Sequence, residues 1–270
     1  MFLSIHNLLI YKYILFIIIL FIIFYIINNH ISKKFEQFEQ FDDNIIFLNN
    51  YELLNILLSN NDKYYDTFFE NDFYVRNINN IDEYKNLIKK SVTDFNDNQK
   101  NKIKKCIYNA NLYFSDLKLN WFDGNKNNKI KWIIGCIKGK LYENGLPHTR
   151  NNYIIISDEK VNDYDEEKLT KTLIHEKVHI YQKKYINDIK IYLNENNFIK
   201  IKEREKNDNI RANPDLDNWI YKDKQNIYKA VYNDNPSSVE DIKYKPINNQ
   251  SYEHPYEKMA IYIENKFIKL

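Results

Sequence analysis

Residues 172–181 read Thr-Leu-Ile-His-Glu-Lys-Val-His-Ile-Tyr, placing His175 and His179 four apart with Glu176 between them. On a helix, residues four apart share a face, so two imidazoles at that spacing reach one divalent cation. Glu176 projects beside them, where a carboxylate takes a proton from water that such an ion has acidified. The chain contains only 6 histidines, so composition alone rarely produces this five-residue pattern.

The neighbouring residues predict the scaffold. A helix is expected to start near Asn162 or Asp163, with Asp165, Glu166 and Glu167 in its first turn, and to end near Tyr185. Ile174, Val178, Tyr181 and Tyr185 fall on one stripe that can bury, while Thr172 and Gln182 share the face of the histidines. Ahead of it, residues 130–137 and 152–157 read as strands, separated by turn signals at Gly139 and Gly145-Leu146-Pro147. Residues 45–117 read as mostly helical, with Leu53, Ile56 and Leu57, and then Ile103, Ile107 and Leu112, near helical spacing. Later segments also read as helical, closing in an amphipathic stretch over 255–268.

The helix with its H-E-x-x-H motif, the strand before it and a downstream glutamate resemble the zincin metallopeptidases. In that family the two histidines bind zinc and the intervening glutamate is the general base. The resemblance implies zinc on His175 and His179, Glu176 as general base, and a peptide or protein substrate. Lys177 departs from the family pattern, which has an uncharged residue there; on the helical wheel it points away from the histidines. A catalytic zinc has three protein ligands and one open position. Residues 182–190 contain no His or Gly, so the resemblance implies a third ligand on a separate helix, as in the glutamate-type zincins. Glu257, just after Pro255 and one turn before Ala260, is the first candidate; Glu253, His254 and Asp215 are alternatives.

The resemblance also implies an α+β fold, with a small, mostly antiparallel sheet packed on the metal helix and a helix-rich remainder. The strand at 152–157, into which the Gly145–Arg150 segment leads, would rim the cleft, with substrate pairing along its free edge. His148 is a candidate catalytic donor to substrate or oxyanion, alongside His254, Tyr252 and Tyr256. Arg211-Ala212-Asn213-Pro214-Asp215 reads as an ordered loop in which Arg211 could hold a carboxylate. Together with the His254-Pro255-Tyr256-Glu257 segment, this layout is similar to that of uncharacterised metallopeptidase-like proteins of large DNA viruses.

From Leu8 to Ile27 the chain is apolar apart from Lys12, which is the length a helix needs to cross a bilayer. No small-residue cleavage site follows, so an uncleaved single-pass anchor in contact with membrane lipid is expected over residues 1–31. The lysines flanking it do not fix its orientation. A charged, Gln-rich linker is expected over 32–43, a helical region over 44–118 and the catalytic region over 119–270. A net charge of +2, with no basic stripe, argues against a nucleic-acid partner. Cys106 and Cys136 form neither a disulfide framework nor a metal spacing and read as buried free thiols. The rival to a membrane-anchored zinc peptidase is a membrane-tethered binding domain that keeps zinc only for stability.

Overall fold

The structure, a computed structural model, describes residues 15–26, 28, 29, 44–244 and 252–268. Residues 15–26 form helix α1, whose leucines, isoleucines and phenylalanines are all exposed. Among the described residues, no helix is long and apolar enough to cross a membrane. Residues 1–14, 27, 30 and 31 of the expected anchor and the whole of the 32–43 linker lie outside the described residues.

From Ile45 onward the chain packs as one compact unit of mixed helix and strand. Its main sheet has five strands: β1 (Ile45–Phe47), β2 (Val92–Thr93), β5 (Trp132–Ile137), β6 (His148–Arg150) and β7 (Tyr153–Ser157). The order is β1-β5-β7-β6, with β2 continuing the β1 edge of β5. Both β1–β5 and β5–β7 are parallel, while β2–β5 and β6–β7 are antiparallel. The main sheet is therefore mixed, not mostly antiparallel. The expectation fails at Ile45–Phe47, a three-residue apolar run read as helix, which returns as a parallel partner of β5 after a long helical crossover.

Strand alternation divides the core. Ile154 and Ile156 of β7, with Trp132 and Ile134 of β5, face one large cluster with Ile103, Ile107, Leu173 and Val178. Ile155 and Ile137 face the opposite cluster with Leu53, Leu57, Tyr84 and Ile88. A sheet covered on both faces explains the unbroken apolar runs of β5 and β7. A side chain at Gly135 would lie 2.6 Å from a Leu53 methyl, so a glycine there lets helix α2 (Asn50–Ser59) lie close on the sheet.

Helices α3 (Glu70–Tyr74) and α4 (Ile81–Ser91) follow α2, and α5 (Asp97–Asp116) crosses beneath the sheet. A short hairpin, β3 (Lys118–Leu119) and β4 (Phe122–Asp123), leads through α6 (Gly124–Asn128) into β5. After β7 the short helix α7 (Asp158–Asp163) precedes α8 (Glu166–Lys184), the motif helix. Asp165 caps α8 through Lys168 N–H, so the helix starts slightly later than the sequence suggests. Helix α9 (Ile186–Glu195) follows directly. Residues 199–244, expected to be helical, instead form the strands β8 (Ile199–Glu203), β9 (Trp219–Lys222), β10 (Ile227–Tyr228), β11 (Ala230–Tyr232) and β12 (Ile242–Tyr244) in two small antiparallel sheets. Helix α10 (Pro255–Glu264) packs on α8 through Met259, Ala260 and Ile263. Leu112, on the stripe read as buried, is exposed, whereas Ile103 and Ile107 are buried as expected. Both cysteines are buried free thiols.

Candidate metal centre

Helix α8 is buried almost all round, from Leu169 to Gln182, and this burial fixes where its polar side chains go. Ile174, Val178 and Tyr181 enter the core. Lys177 leaves on the far side from the histidines, as the wheel requires. Its Nζ donates to the carbonyls of Ile130 at 2.7 Å and Lys131 at 2.9 Å and lies 4.2 Å from the Trp132 ring centre. Burial, reinforced by the charge of Lys184, pushes its pKa well below the usual lysine range. The unusual residue of the motif thus belongs to the packing beneath the sheet.

His175 and His179 turn towards α10 and meet Glu257. His175 Nε2 lies 3.0 Å from His179 Nε2 and 3.3 Å from Glu257 Oε2, and His179 Nε2 lies 3.7 Å from Glu257 Oε1. Ligand atoms at about 2.0–2.1 Å from a tetrahedral zinc stand about 3.3 Å apart, so these separations bracket the edge of such a site. The outer nitrogens are committed elsewhere. His175 Nδ1 donates to Glu264 Oε2 at 3.0 Å, and His179 Nδ1 donates to Gln182 Oε1 at 2.9 Å. Gln182 is itself oriented by donating from Nε2 to Tyr256 O at 2.9 Å. A carboxylate and an amide oxygen can only accept, which puts the protons on Nδ1 and turns the Nε2 lone pairs inward. Two inward lone pairs and a carboxylate repel one another unless a cation lies among them, so the residues present fit a divalent ion.

The local field draws a positive charge to this point, a proton on His175 or a metal ion in its place. Burial lowers the proton affinity of His175, but Glu257 and Glu264 outweigh it and raise its pKa well above the usual value. Burial pushes the Glu257 carboxyl up, while His179 and His175 more than reverse this and hold it below the carboxylate range. For His179 burial prevails, and its pKa is lowered. Glu176 is buried, and its pKa is raised well above the ordinary range by burial and then by the charge of Asp215. Its Oε2 has no hydrogen-bond partner.

His175, Glu176 and Glu257 line a cleft of about 170 Å³. The Arg211–Asp215 part of the Arg211–Asp217 loop lines it too, with His148 and Glu143. The other candidates for third ligand are engaged in holding that loop. Glu253 accepts from Arg211 and Asn213, His254 Nε2 donates to Asp217 at 3.1 Å, and Asp215 Oδ1 accepts from Thr149 N–H and Thr149 Oγ1, both at 2.6 Å. Arg211 holds a carboxylate, as the loop reading allowed; it is that of Glu253. Asn213 Nδ2 also donates to Glu257 Oε1 at 3.2 Å and so orients the carboxylate that faces the histidines. Glu257 alone of the four alternatives joins the imidazoles.

Two sequence expectations change. His148 lines the cleft, but its Nδ1 donates to Leu146 O at 2.8 Å, and burial lowers its pKa despite Asp215 and Glu143. The neutral ring therefore presents Nε2 as an acceptor, not as the expected donor to an oxyanion. His254 and the Tyr256 hydroxyl are both turned to Asp217. Strand β7, expected to offer substrate its free edge, lies between β5 and β6 and has none; β6 is the edge strand, and its outer side is closed at Thr149 by Asp215 and Lys183. Sequence reasoning missed Glu264 and Asn213. Glu264 carried a signal, since it stands seven residues from Glu257 on α10 and hence on the same face. Asn213 carried none, because its role depends on a loop brought in from elsewhere in the chain. Compared with protein-family models, curated proteins and solved structures, the chain matches none.

Proposed function

We propose that this chain is a zinc-dependent peptidase in which His175, His179 and Glu257 hold the metal and Glu176 is the general base. One observation carries the reading: two imidazole lone pairs and a carboxylate converge at 3.0–3.7 Å while both Nδ1 atoms donate outward. Two imidazoles and one carboxylate, leaving a fourth position open, form the donor set of a catalytic zinc site. When bound, zinc would polarise the scissile carbonyl and lower the pKa of water at that position. Glu176 moves the proton. Its unpartnered Oε2 accepts a proton from the attacking water as the new C–O bond forms. The protonated carboxyl then gives the proton to the leaving nitrogen as the C–N bond breaks. The products are a carboxylate and an amine. A zinc site kept only for stability, as in the tethered binding domain, has no use for a buried carboxylate with a free oxygen beside the ligands. The apolar segment at the amino end would hold this unit at a membrane, with lipid as its partner.

The test uses the full chain in detergent, equilibrated with zinc and dialysed. Elemental analysis is expected to find a single equivalent of zinc, lost in His179→Ala and in Glu257→Gln. Glu176→Gln should retain zinc while turnover of a peptide library falls by about 10²–10⁴-fold. Failure of the wild type to retain zinc, or full turnover by Glu176→Gln, overturns the proposal.

A further inference from the structure

We infer that the cleft takes the free amino end of a peptide, so that the chain releases residues from that end instead of cutting within an extended strand. The inference rests on the peptidase reading and specifies its substrate. Its first ground is the closed rim. Leu146 N–H donates to Glu143 O at 3.0 Å, and Leu146 O accepts from the His148 ring. Pro147 has no N–H. In β6 the backbone of Thr149 faces away from β7, since in an antiparallel ladder alternate residues turn outward. Its N–H goes to Asp215 Oδ1 at 2.6 Å and its C=O accepts from Lys183 Nζ at 3.3 Å. Over four consecutive residues the edge is thus left with one free carbonyl, that of Pro147, which is too little for strand addition. A substrate held without a main-chain ladder has to be fixed by its own end group.

The second ground is the kind of group the cleft leaves free. Glu176 Oε2 and His148 Nε2 are buried side-chain atoms of the cleft lining without partners, and both are acceptors. Glu176 is assigned to water, which leaves His148 Nε2 for the substrate. His148 is 3 % exposed and lies near the carboxylates of Asp215 and Glu143 and the Arg150 guanidinium, so its unpartnered Nε2 is the acceptor the cleft leaves for a donor on the substrate. The cations of the same region are committed: Arg211 to Glu253, and Lys183 to Thr149 and Pro214 O. A carboxylate end therefore lacks a partner in the cleft, whereas an α-ammonium finds one. Hydrolysis then adds water across the first peptide bond: its C–N bond breaks, the first residue leaves with a new carboxylate, and the remaining chain carries a new amine.

The experiment compares peptide pairs identical except for acetylation of the amino terminus, using the full chain loaded with zinc and mass spectrometry of the products. Release of the first residue from the free peptide, at least about 10-fold faster than any cleavage of the acetylated one, is expected. His148→Leu should collapse that ratio, and His148→Gln, which restores an acceptor, should recover part of it. Equal rates on both peptides, or internal cuts in the acetylated one, overturn the inference while leaving the peptidase reading intact. Binding is measured separately, by calorimetry of leucinamide against N-acetyl-leucinamide with Glu176→Gln. Preference for the free amine supports the inference even if no peptide is cut; equal affinity, or none for either, overturns it.

Discussion

Two buried polar clusters face the cleft, and they differ in whether their hydrogen bonds close. In the first, Glu143 receives Arg76 through Nε at 3.0 Å and through a terminal nitrogen at 2.6 Å, with the Tyr64 and Tyr84 hydroxyls on the same carboxylate. Arg76 completes its set on Asp72 O and Tyr64. Both oxygens of that carboxylate are filled by protein donors. In the second, His175, His179 and Glu257 satisfy their outer atoms and leave acceptors pointing at one another. Polar groups taken out of water in both places therefore carry opposite meanings. A network that closes on itself holds the fold, while one that closes everywhere except at a single point has room for a ligand.

The comparison breaks most readily at the closed cluster. Glu143→Ala would leave the Arg76 guanidinium buried beside Asp72 without its main partner. Breaking such a pair costs about 3–5 kcal/mol, read as a lower urea midpoint, while the zinc content of the folded fraction should be unchanged. Loss of zinc without loss of stability would mean that the two clusters had been assigned the wrong way round. Glu143 also adopts a left-handed backbone, φ +46°, uncommon for a residue with a side chain, so the network holds some strain as well.

Acid should dissolve the same cluster. Burial pushes the Glu143 carboxyl up, but Arg76 outweighs it and holds the pKa at about 2, against an ordinary 4.5. A pKa lowered by folding means that the unfolded chain binds the extra proton as pH falls. The contribution, about 3 kcal/mol, is therefore complete above pH 4.5 and lost by pH 2. Urea midpoints of the wild type and Glu143→Gln should converge across that window; a gap that stayed constant would show that the charge of Glu143 is not what stabilises.

How far each cluster could be read from the chain follows from how local it is. His175, Glu176 and His179 lie within one helical turn, and the Pro255 start of α10 placed Glu257. Both rest on short-range rules that the Asn- and Lys-rich composition does not blur. The closed cluster joins residues 67 apart, Arg76 and Glu143, and no periodicity marks either one. Strand β1 was missed for a related reason: three apolar residues look alike in helix and strand, and only pairing with the distant β5 decides between them. The strands between 199 and 244 are two to five residues long, too short for alternation to show. The closure of the β6 edge by Asp215 and Lys183 is likewise a meeting of distant segments.

The smallest effects sharpen the comparison inside the metal cluster. Gln182 orients His179 through one bond and is oriented by Tyr256 O through another. Gln182→Ala removes the only acceptor shown for His179 Nδ1, in a fully buried setting, and zinc affinity should fall by about 10–100-fold in a chelator competition. Glu264→Gln differs in kind. It keeps an oxygen that can accept from His175 Nδ1 and removes only the charge, at a position 22 % exposed where water screens part of it. Its cost should stay below about 10-fold. If Glu264→Gln weakened zinc as much as Gln182→Ala, the negative charge behind His175, and not the tautomer it enforces, would be what readies the site for a cation.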